Sequence, residues 1–442
     1  MNLKPETHNS KQEYPHYRRN LLAFAGDYIF FRVGIAFLNS VTILPALARE
    51  LTASAPLVGL VSTLGSGAWM LPQLVAANYV TGKARQKPYL IIPASIGRPF
   101  TWLFALLLFL GLGQHPLLLY GALILWVTIF WLCDGLASVP WFHLVSKTIP
   151  PERRGRLFGL GQALGGVLAM GAGLVVRYLL SQQGPPFPIN YAWLFLLAGT
   201  AFLMSLGSIS TLKEDPEPGP KDRPPWRAYL PKLITLLGRD ADFRLVTLVR
   251  VLLGAGGMAA PFYILYATEK LGLSYEAIGF FVSVQVGASV LLGVLMGYLN
   301  ERAGSKRVIQ LATVMGLMAP VGALVIPRLI LTPGAGLLWA YGLIFIGLQG
   351  VMSAMMLGFM NFIMEIAPRE EGPTYVGLAN TLAAVLFIYP VLGGVLLEEL
   401  SYTGLFSITA LAVGVGLLLS ARLREPRGAR PTDLKRRGAT EG

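Results

Sequence analysis

Long apolar runs, one after another, govern what this chain can fold into. A run of about 20 apolar residues is what an α-helix needs to cross the hydrocarbon layer of a membrane. Twelve such runs are read: 21–48, 56–79, 89–112, 117–146, 156–180, 188–212, 241–268, 275–299, 305–328, 334–366, 373–398 and 401–422. In lipid the backbone must satisfy its own hydrogen bonds, which leaves helices or closed barrels. Barrel strands would alternate polar and apolar over about ten residues, and no segment does. The expected fold class is an all-α membrane protein with twelve transmembrane helices. Composition closes off the other classes. Of 442 residues 54% are hydrophobic and 13% charged, against a charged share of about 25% in soluble domains, so a water-soluble globule and a disordered chain are both excluded. The one cysteine, Cys133, allows no internal disulfide framework and no cysteine metal cluster. Arg18-Arg19 ahead of the first run superficially resembles a cleavable signal. The length of the run, and Asp27 and Arg32 inside it, argue that the first helix is retained.

The basic residues orient the chain. With the N-terminus cytoplasmic, 29 of the 36 Lys and Arg fall on the inner side. Arg49, Lys270 and Arg328 fall outside, and Arg32, Arg98, Arg177 and Arg250 lie within spans. This positive-inside bias implies a multi-pass protein of the plasma (inner) membrane with both termini cytoplasmic. Contact with anionic membrane lipid accounts for the net charge of +13 without nucleic acid.

Residues 213–240 interrupt the pattern. Lys213-Glu214-Asp215-Pro216-Glu217-Pro218-Gly219-Pro220 is a polar, Pro-rich linker, and Trp226 to Leu237 reads as an amphipathic helix on the membrane surface. The expected organisation is a cytoplasmic N-terminal segment (1–20), a six-helix half (21–212), the linker (213–240), a second six-helix half (241–422) and a basic tail (423–442). The halves look alike. Pro150-Pro151-Glu152 with Gly159-Leu160-Gly161-Gln162 is echoed 218 positions on by Pro368-Arg369-Glu370 with Gly377-Leu378-Ala379-Asn380. Leu51, Ser54 and Gly59 are echoed by Leu271, Ser274 and Gly279 at a spacing of 220. An even number of spans per half makes these parallel repeats related by a pseudo-two-fold axis.

At this point the residues resemble a family. Gly297-Tyr298-Leu299-Asn300-Glu301-Arg302-Ala303-Gly304-Ser305-Lys306-Arg307, between the eighth and ninth spans, is similar to the cytoplasmic signature of the major facilitator superfamily. Pro150-Pro151-Glu152-Arg153-Arg154-Gly155-Arg156 resembles that family's basic turn between the fourth and fifth spans. The first-half copy of the signature, Asn78-Tyr79-Val80-Thr81-Gly82-Lys83-Ala84-Arg85, lacks the acidic residue. The fourth span lacks the arginine, and the fifth the Gly-Pro pair, of the family's proton antiporters. The resemblance implies that fold over about residues 20–423, a central site between two rocking halves, and a conformational switch built from Gly297, Asn300, Glu301, Arg302, Gly304, Lys306, Arg307, Arg153, Arg154, Gly155 and Arg156. A carboxylate such as Glu301 at the inner surface would cap a neighbouring helix or pair with a base.

A charge in the apolar layer costs a few kcal/mol unless paired or wetted, so each is a candidate for function. Arg32 and Asp134 both lie about 18 Å from the inner surface by helical rise, which makes them candidate partners. Asp27 is shallower, at about 10 Å, and suits an anchor of the helix entry, with a pair to Arg98 at similar depth as the alternative. Arg250, in the inner half of the seventh span, has Glu365 as its nearest partner by depth. At the 220 spacing Arg250 falls on Phe30 rather than Arg32. Among neutral groups Gln162, Gln285, Gln349, Asn361 and Asn380 are candidates to line a substrate or coupling site, with inter-helix bonding as the alternative; the repeat relates Gln162 to Asn380. Gly161-x-x-x-Gly165 and Gly293-x-x-x-Gly297 permit close helix approach, and the resemblance puts them across the two halves.

No Walker loop, metalloprotease or nucleophile-elbow motif occurs, so no cofactor, no metal and no enzyme activity are expected. Gly254-Ala255-Gly256-Gly257 mimics a dinucleotide fingerprint but lies inside an apolar span with no preceding strand. The expected function is secondary active transport of a small solute by alternating access in a monomer, with protons at Asp134 or Asp27 as the coupling ion if one is used. The different-class alternative is a non-transporting sensor or receptor of the same fold. Within the transporter class two substrates stand open. One is an organic anion gripped by uncompensated arginine. The other is a lipophilic compound or lipid in a cavity lined by Trp69, Trp126, Phe262 and Met258.

Overall fold

The computed structural model describes residues 14–80, 83–216, 238–368 and 372–426. Among these every regular element is helical, and ten helices are long and apolar enough to cross a membrane. The chain is a multi-pass membrane protein. Its surface carries large apolar side chains such as Leu22, Leu117, Leu331 and Leu418 in the open, which water would penalise and lipid does not.

The chain divides into two compact units, residues 1–39 with 64–223 and residues 40–63 with 224–442. In the first lie α1 (Tyr17–Phe37), α4 (Lys87–Phe109), α5 (Pro116–Thr148), α6 (Pro151–Leu179) and α7 (Ile189–Ser210), together with most of α3 (Ala55–Val80). Helix α1 packs on α6 and α7, and α4 on α5 and α7. Phe24, Leu90, Leu144, Leu157 and Ile209 share one buried cluster. Prolines in the first turn of α4, α5 and α6 start those helices where no intrahelical donor is lost. The glycines of α6 answer a local need. A Cβ on Gly161 would run into the Tyr28 ring, and one on Gly165 would press on Arg32 and Ile29. So this small-residue stripe packs α6 against α1, ordinary close packing within one unit. Gly293 and Gly297 face open space.

The second unit is less regular. It holds α2 (Ile43–Leu51), the start of α3, α8 (Ala241–Gly254), α9 (Gly256–Ala259), α10 (Phe262–Glu269), α11 (Glu276–Ala303), α12 (Ser305–Leu329), α13 (Ala335–Ala354), α14 (Asn361–Ile366), α15 (Gly372–Ala383) and α16 (Tyr389–Ala421). The seventh apolar run is one span, Ala241–Glu269, whose backbone stays helical through Ala255 and Ala260-Pro261 while its hydrogen-bond ladder is irregular there, where Gly and Pro weaken the helix. A π-helical turn, Met355–Met360, joins α13 to α14, and a 3-10 turn, Ala384–Ile388, joins α15 to α16. Ser401 stands at φ 67, ψ 175 inside α16 and divides it. Asp240 caps α8 by accepting from Phe243 N at 2.9 Å. The expected surface helix at 226–237 and the tail from 427 lie outside the described residues.

Candidate functional site

The charged side chains inside the spans fall into two kinds of surroundings. In the first unit Asp27 of α1 and Arg98 of α4 form an ion pair at 2.9 Å, with side chains only 5% and 6% exposed. Trp141 Nε1 donates to Asp27 at 2.8 Å and Ser205 Oγ at 2.6 Å. Four helices thus converge on one carboxylate, whose charge is fully answered. Of the two depth readings of Asp27, the pair with Arg98 is the one that matches this contact. The other buried acid, Asp134 of α5, accepts from Trp69 Nε1 at 3.0 Å. Gly135 beside it lies so close to the Trp69 carbonyl that a Cβ would not fit.

Depth misjudged Arg32. Its Nη1 donates to Gln162 Oε1 of α6 at 2.6 Å, whereas the short contact of Asp134 is the indole of Trp69. Arg32 is also within 5.9 Å of the Tyr28 ring centroid. In the second unit Arg250 of α8 makes the same kind of contact: Nη1 and Nη2 both donate to Asn380 Oδ1 of α15 at 3.0 Å. Donor and acceptor stand 130 residues apart in each case. Arg32 and Arg250 are 218 positions apart, and so are Gln162 and Asn380. The 218 spacing therefore holds through this region, and matching Arg250 to Phe30 was a two-residue slip. Glu365, the partner expected for Arg250 by depth, accepts from Ser305 Oγ at 2.7 Å instead. Arg250 is 9% exposed, and its Nε has no hydrogen-bond acceptor. Among the described residues no carboxylate lies within ion-pair distance of it. One turn beyond, Gly254 abuts Leu386 in the 3-10 turn.

The other candidates scatter. Gln285 of α11 is 6% exposed, and Gln349 of α13 is half-buried. Asn361 turns back on its own helix, donating to Leu357 O at 2.9 Å. Trp126 donates to Thr101 Oγ1 at 3.2 Å and packs among Phe104, Phe130 and Phe195. Trp126, Met258 and Phe262 are buried core, which leaves the lipophilic reading without three of its four side chains.

The signature turn differs from expectation in one respect. Glu301 and Arg302 are exposed, and Arg302 lies 4.5 Å over the Tyr298 ring. The carboxylate at the start of α12 comes from Glu425, which accepts from Lys306 N at 3.2 Å. Gly304 has φ +84 and leaves room for that carboxylate. Arg154 donates to Ile149 O at 3.1 Å and Ser146 O at 2.7 Å, tying the basic turn to the end of α5. The first unit repeats the capping arrangement. Glu214 accepts from Gln86 N at 2.9 Å and Lys87 N at 2.7 Å at the start of α4, and pairs with Lys147 at 3.3 Å. Neither glutamate was foreseen. A signal existed: Leu212-Lys213-Glu214 and Leu423-Arg424-Glu425 each follow the last helix of a half, with both leucines buried.

Membrane-crossing helices, buried charges held between them and a signature turn of this shape define a polytopic membrane protein. The chain belongs to the Major Facilitator Superfamily, whose model matches residues 28–389 and 251–441. A search of the curated proteins finds no match. Solved structures similar to it include the nucleoside transporter NupG (D323A mutant), with TM-score 0.66 and 14% identity over 92% of this chain and 98% of that one. A bacterial homologue of the iron transporter ferroportin, inward-facing, has TM-score 0.65 and 14% identity over 92% and 98%. A bacterial homologue of the human lysosomal transporter Spinster, inward-facing and unoccupied, has TM-score 0.61 and 15% identity over 92% and 96%. These likenesses carry the fold; their different cargoes do not choose one for this chain.

Proposed function

We propose that the chain is a secondary active transporter with twelve spans in two six-helix halves, moving a small solute that carries an anionic group. Helix α3, 26 residues of largely apolar sequence, and the division of α16 at Ser401 support twelve spans. The observation that carries the substrate class is Arg250. A guanidinium held in the apolar layer by a neutral amide is electrostatically incomplete, because the Asn380 oxygen orients it without cancelling its charge. An anion supplies the missing charge, and the planar fork grips it at two points. Asn380 and Gln162 act as positioning residues. With Asp27 engaged by Arg98, Asp134 is the remaining candidate for proton coupling. The signature and the basic turn serve the conformational switch.

Binding to the purified protein tests this, with a panel of carboxylates, phosphates and sulfonates against their neutral amides or alcohols. At least one anion binds and its neutral analogue does not. Arg250→Lys weakens that binding by about tenfold, the loss of one charge-assisted bond, and Arg250→Gln weakens it further. Full binding in both variants overturns the anion reading and leaves the lipophilic one.

A further inference from the structure

Arg250 is not the only buried polar group of α8 with an unanswered atom. Thr247, one turn nearer the start of the helix, is 6% exposed, and its Oγ1 has no hydrogen-bond partner. A threonine within a helix can satisfy its own hydroxyl on the carbonyl four residues back. Thr128, Thr200, Thr313 and Thr409, in other spans, do so at 2.7 to 3.2 Å. Thr247 makes no such bond. A buried hydroxyl left in this way is uncommon, because buried polar groups in native proteins are nearly always bonded. The first unit shows that the helix does not require it. At the 218 spacing Thr247 falls on Ile29, three residues before Arg32, so the matching turn of α1 is built with an aliphatic side chain.

Position and chemistry join the two groups. Val246, Val249 and Leu253 turn one face of α8 into the core. Thr247 and Arg250 each follow one of those valines by a single residue and so share the flank beside that face. Three residues apart, they are neighbours on the helix surface, about 4.5 Å apart along its axis. Both Nη atoms of Arg250 donate to Asn380 Oδ1, so the amide takes the far end of the guanidinium. The side edge, which carries Nε, is left without an acceptor. Arginine offers only donors, and the threonine hydroxyl adds one more. What completes both is a group of several acceptor oxygens. A carboxylate meets such an edge with two parallel charge-assisted bonds and has lone pairs left for the hydroxyl. Charge narrows the choice further. Arg250 is the one basic residue read within the spans of the second half. One negative charge is therefore balanced there, whereas a second would stand uncompensated in the apolar layer.

We propose that Thr247 is a specificity-determining residue: its hydroxyl and the Nε edge of Arg250 form one head-group subsite on α8, which takes a singly charged carboxylate or sulfonate and rejects a phosphate dianion. The inference rests on the anion reading of Arg250, and its variants separate the two. The experiment uses the purified full chain in detergent at pH 8 with four small probes: acetate, methanesulfonate, methyl phosphate, which is a dianion at that pH, and neutral acetamide. At constant ionic strength the unfolding temperature is titrated with each, since a ligand of the folded state raises it by mass action. Acetate and methanesulfonate give a saturable rise. Acetamide gives none, and methyl phosphate needs at least about tenfold more. Thr247→Val keeps the shape and drops the hydroxyl. It weakens acetate by about tenfold, the loss of one bond to a charged acceptor. Its unfolding temperature without anion holds or rises, because an unbonded buried hydroxyl has gone; a threonine with a merely structural role would lower it. Thr247→Ser keeps the hydroxyl and stays within about threefold for acetate. Thr247→Ala gives the same direction as Thr247→Val should the latter not fold. Acetate binding kept by Thr247→Val and lost by Arg250→Gln overturns the subsite and leaves the anion reading standing. Acetate binding kept by both overturns both. No response to acetate or methanesulfonate overturns the subsite, and methyl phosphate binding as tightly as acetate overturns the singly charged assignment.

Discussion

Arg98 and Arg250 are both buried in the apolar layer, and they teach opposite lessons. Arg98 meets a carboxylate that two further donors, Trp141 and Ser205, also reach. Arg250 meets only an amide oxygen. The halves diverge around them. At the 218 spacing Asp27, Arg98 and Trp141 fall on Leu245, Gly316 and Phe359. In the second unit these positions are apolar packing: Phe359 is fully buried, Leu245 packs on the same cluster, and Gly316 abuts Leu253 and Val351. The second unit has therefore dropped the ion-pair network while keeping the arginine that matches Arg32. A buried charge with a full set of charged partners is architecture. A buried charge with a neutral partner is available to a ligand.

The comparison breaks most readily on stability. Arg98→Leu strands the Asp27 carboxylate and costs about 3–5 kcal/mol, read as a large fall in thermal unfolding temperature in detergent. Arg250→Leu strands no charge, so its unfolding temperature holds or rises. Equal losses in the two variants would erase the distinction. Coupling sharpens the contrast between the two acids. Asp134→Asn retains solute exchange across proteoliposomes and loses at least about tenfold of the accumulation driven by a one-unit pH gradient, while Asp27→Asn acts through protein yield instead. Normal accumulation by Asp134→Asn removes that carboxylate from the mechanism. The smallest effect concerns the network's rim. Trp141→Phe keeps the ring and removes one donor to Asp27, for about 1–1.5 kcal/mol, measured by the same unfolding assay. A loss as large as that of Arg98→Leu would mean that the indole, not the guanidinium, is the chief partner.

The signature turn shows how far a motif can be read unaided. Its glycine, its place at an inner helix end and its basic residues were legible. The carboxylate that completes it, Glu425, lies 121 residues beyond Gly304. Nothing local to the motif points there.

What the sequence by itself determined is the chain's relation to its solvent. Apolar runs of membrane length can only be helices in lipid, so the helical class and the rough bounds of the spans follow from counting residues. Depth offered Arg98 as one of two readings for Asp27 without deciding between them, and the internal echo tied Gln162 to Asn380. Which side of a helix each charge faces, and which other helix lies there, only the tertiary structure decided. Arg32 and Asp134 share a depth, yet Arg32 turns to α6 and Asp134 to Trp69 of α3. The reason is geometric. Rise per residue is set by the helix itself, 1.5 Å each, whereas rotation relative to neighbours is set by packing. That packing includes Gly161 and Gly165 admitting α1, and Gly254 admitting the turn before α16, contacts between residues far apart along the chain.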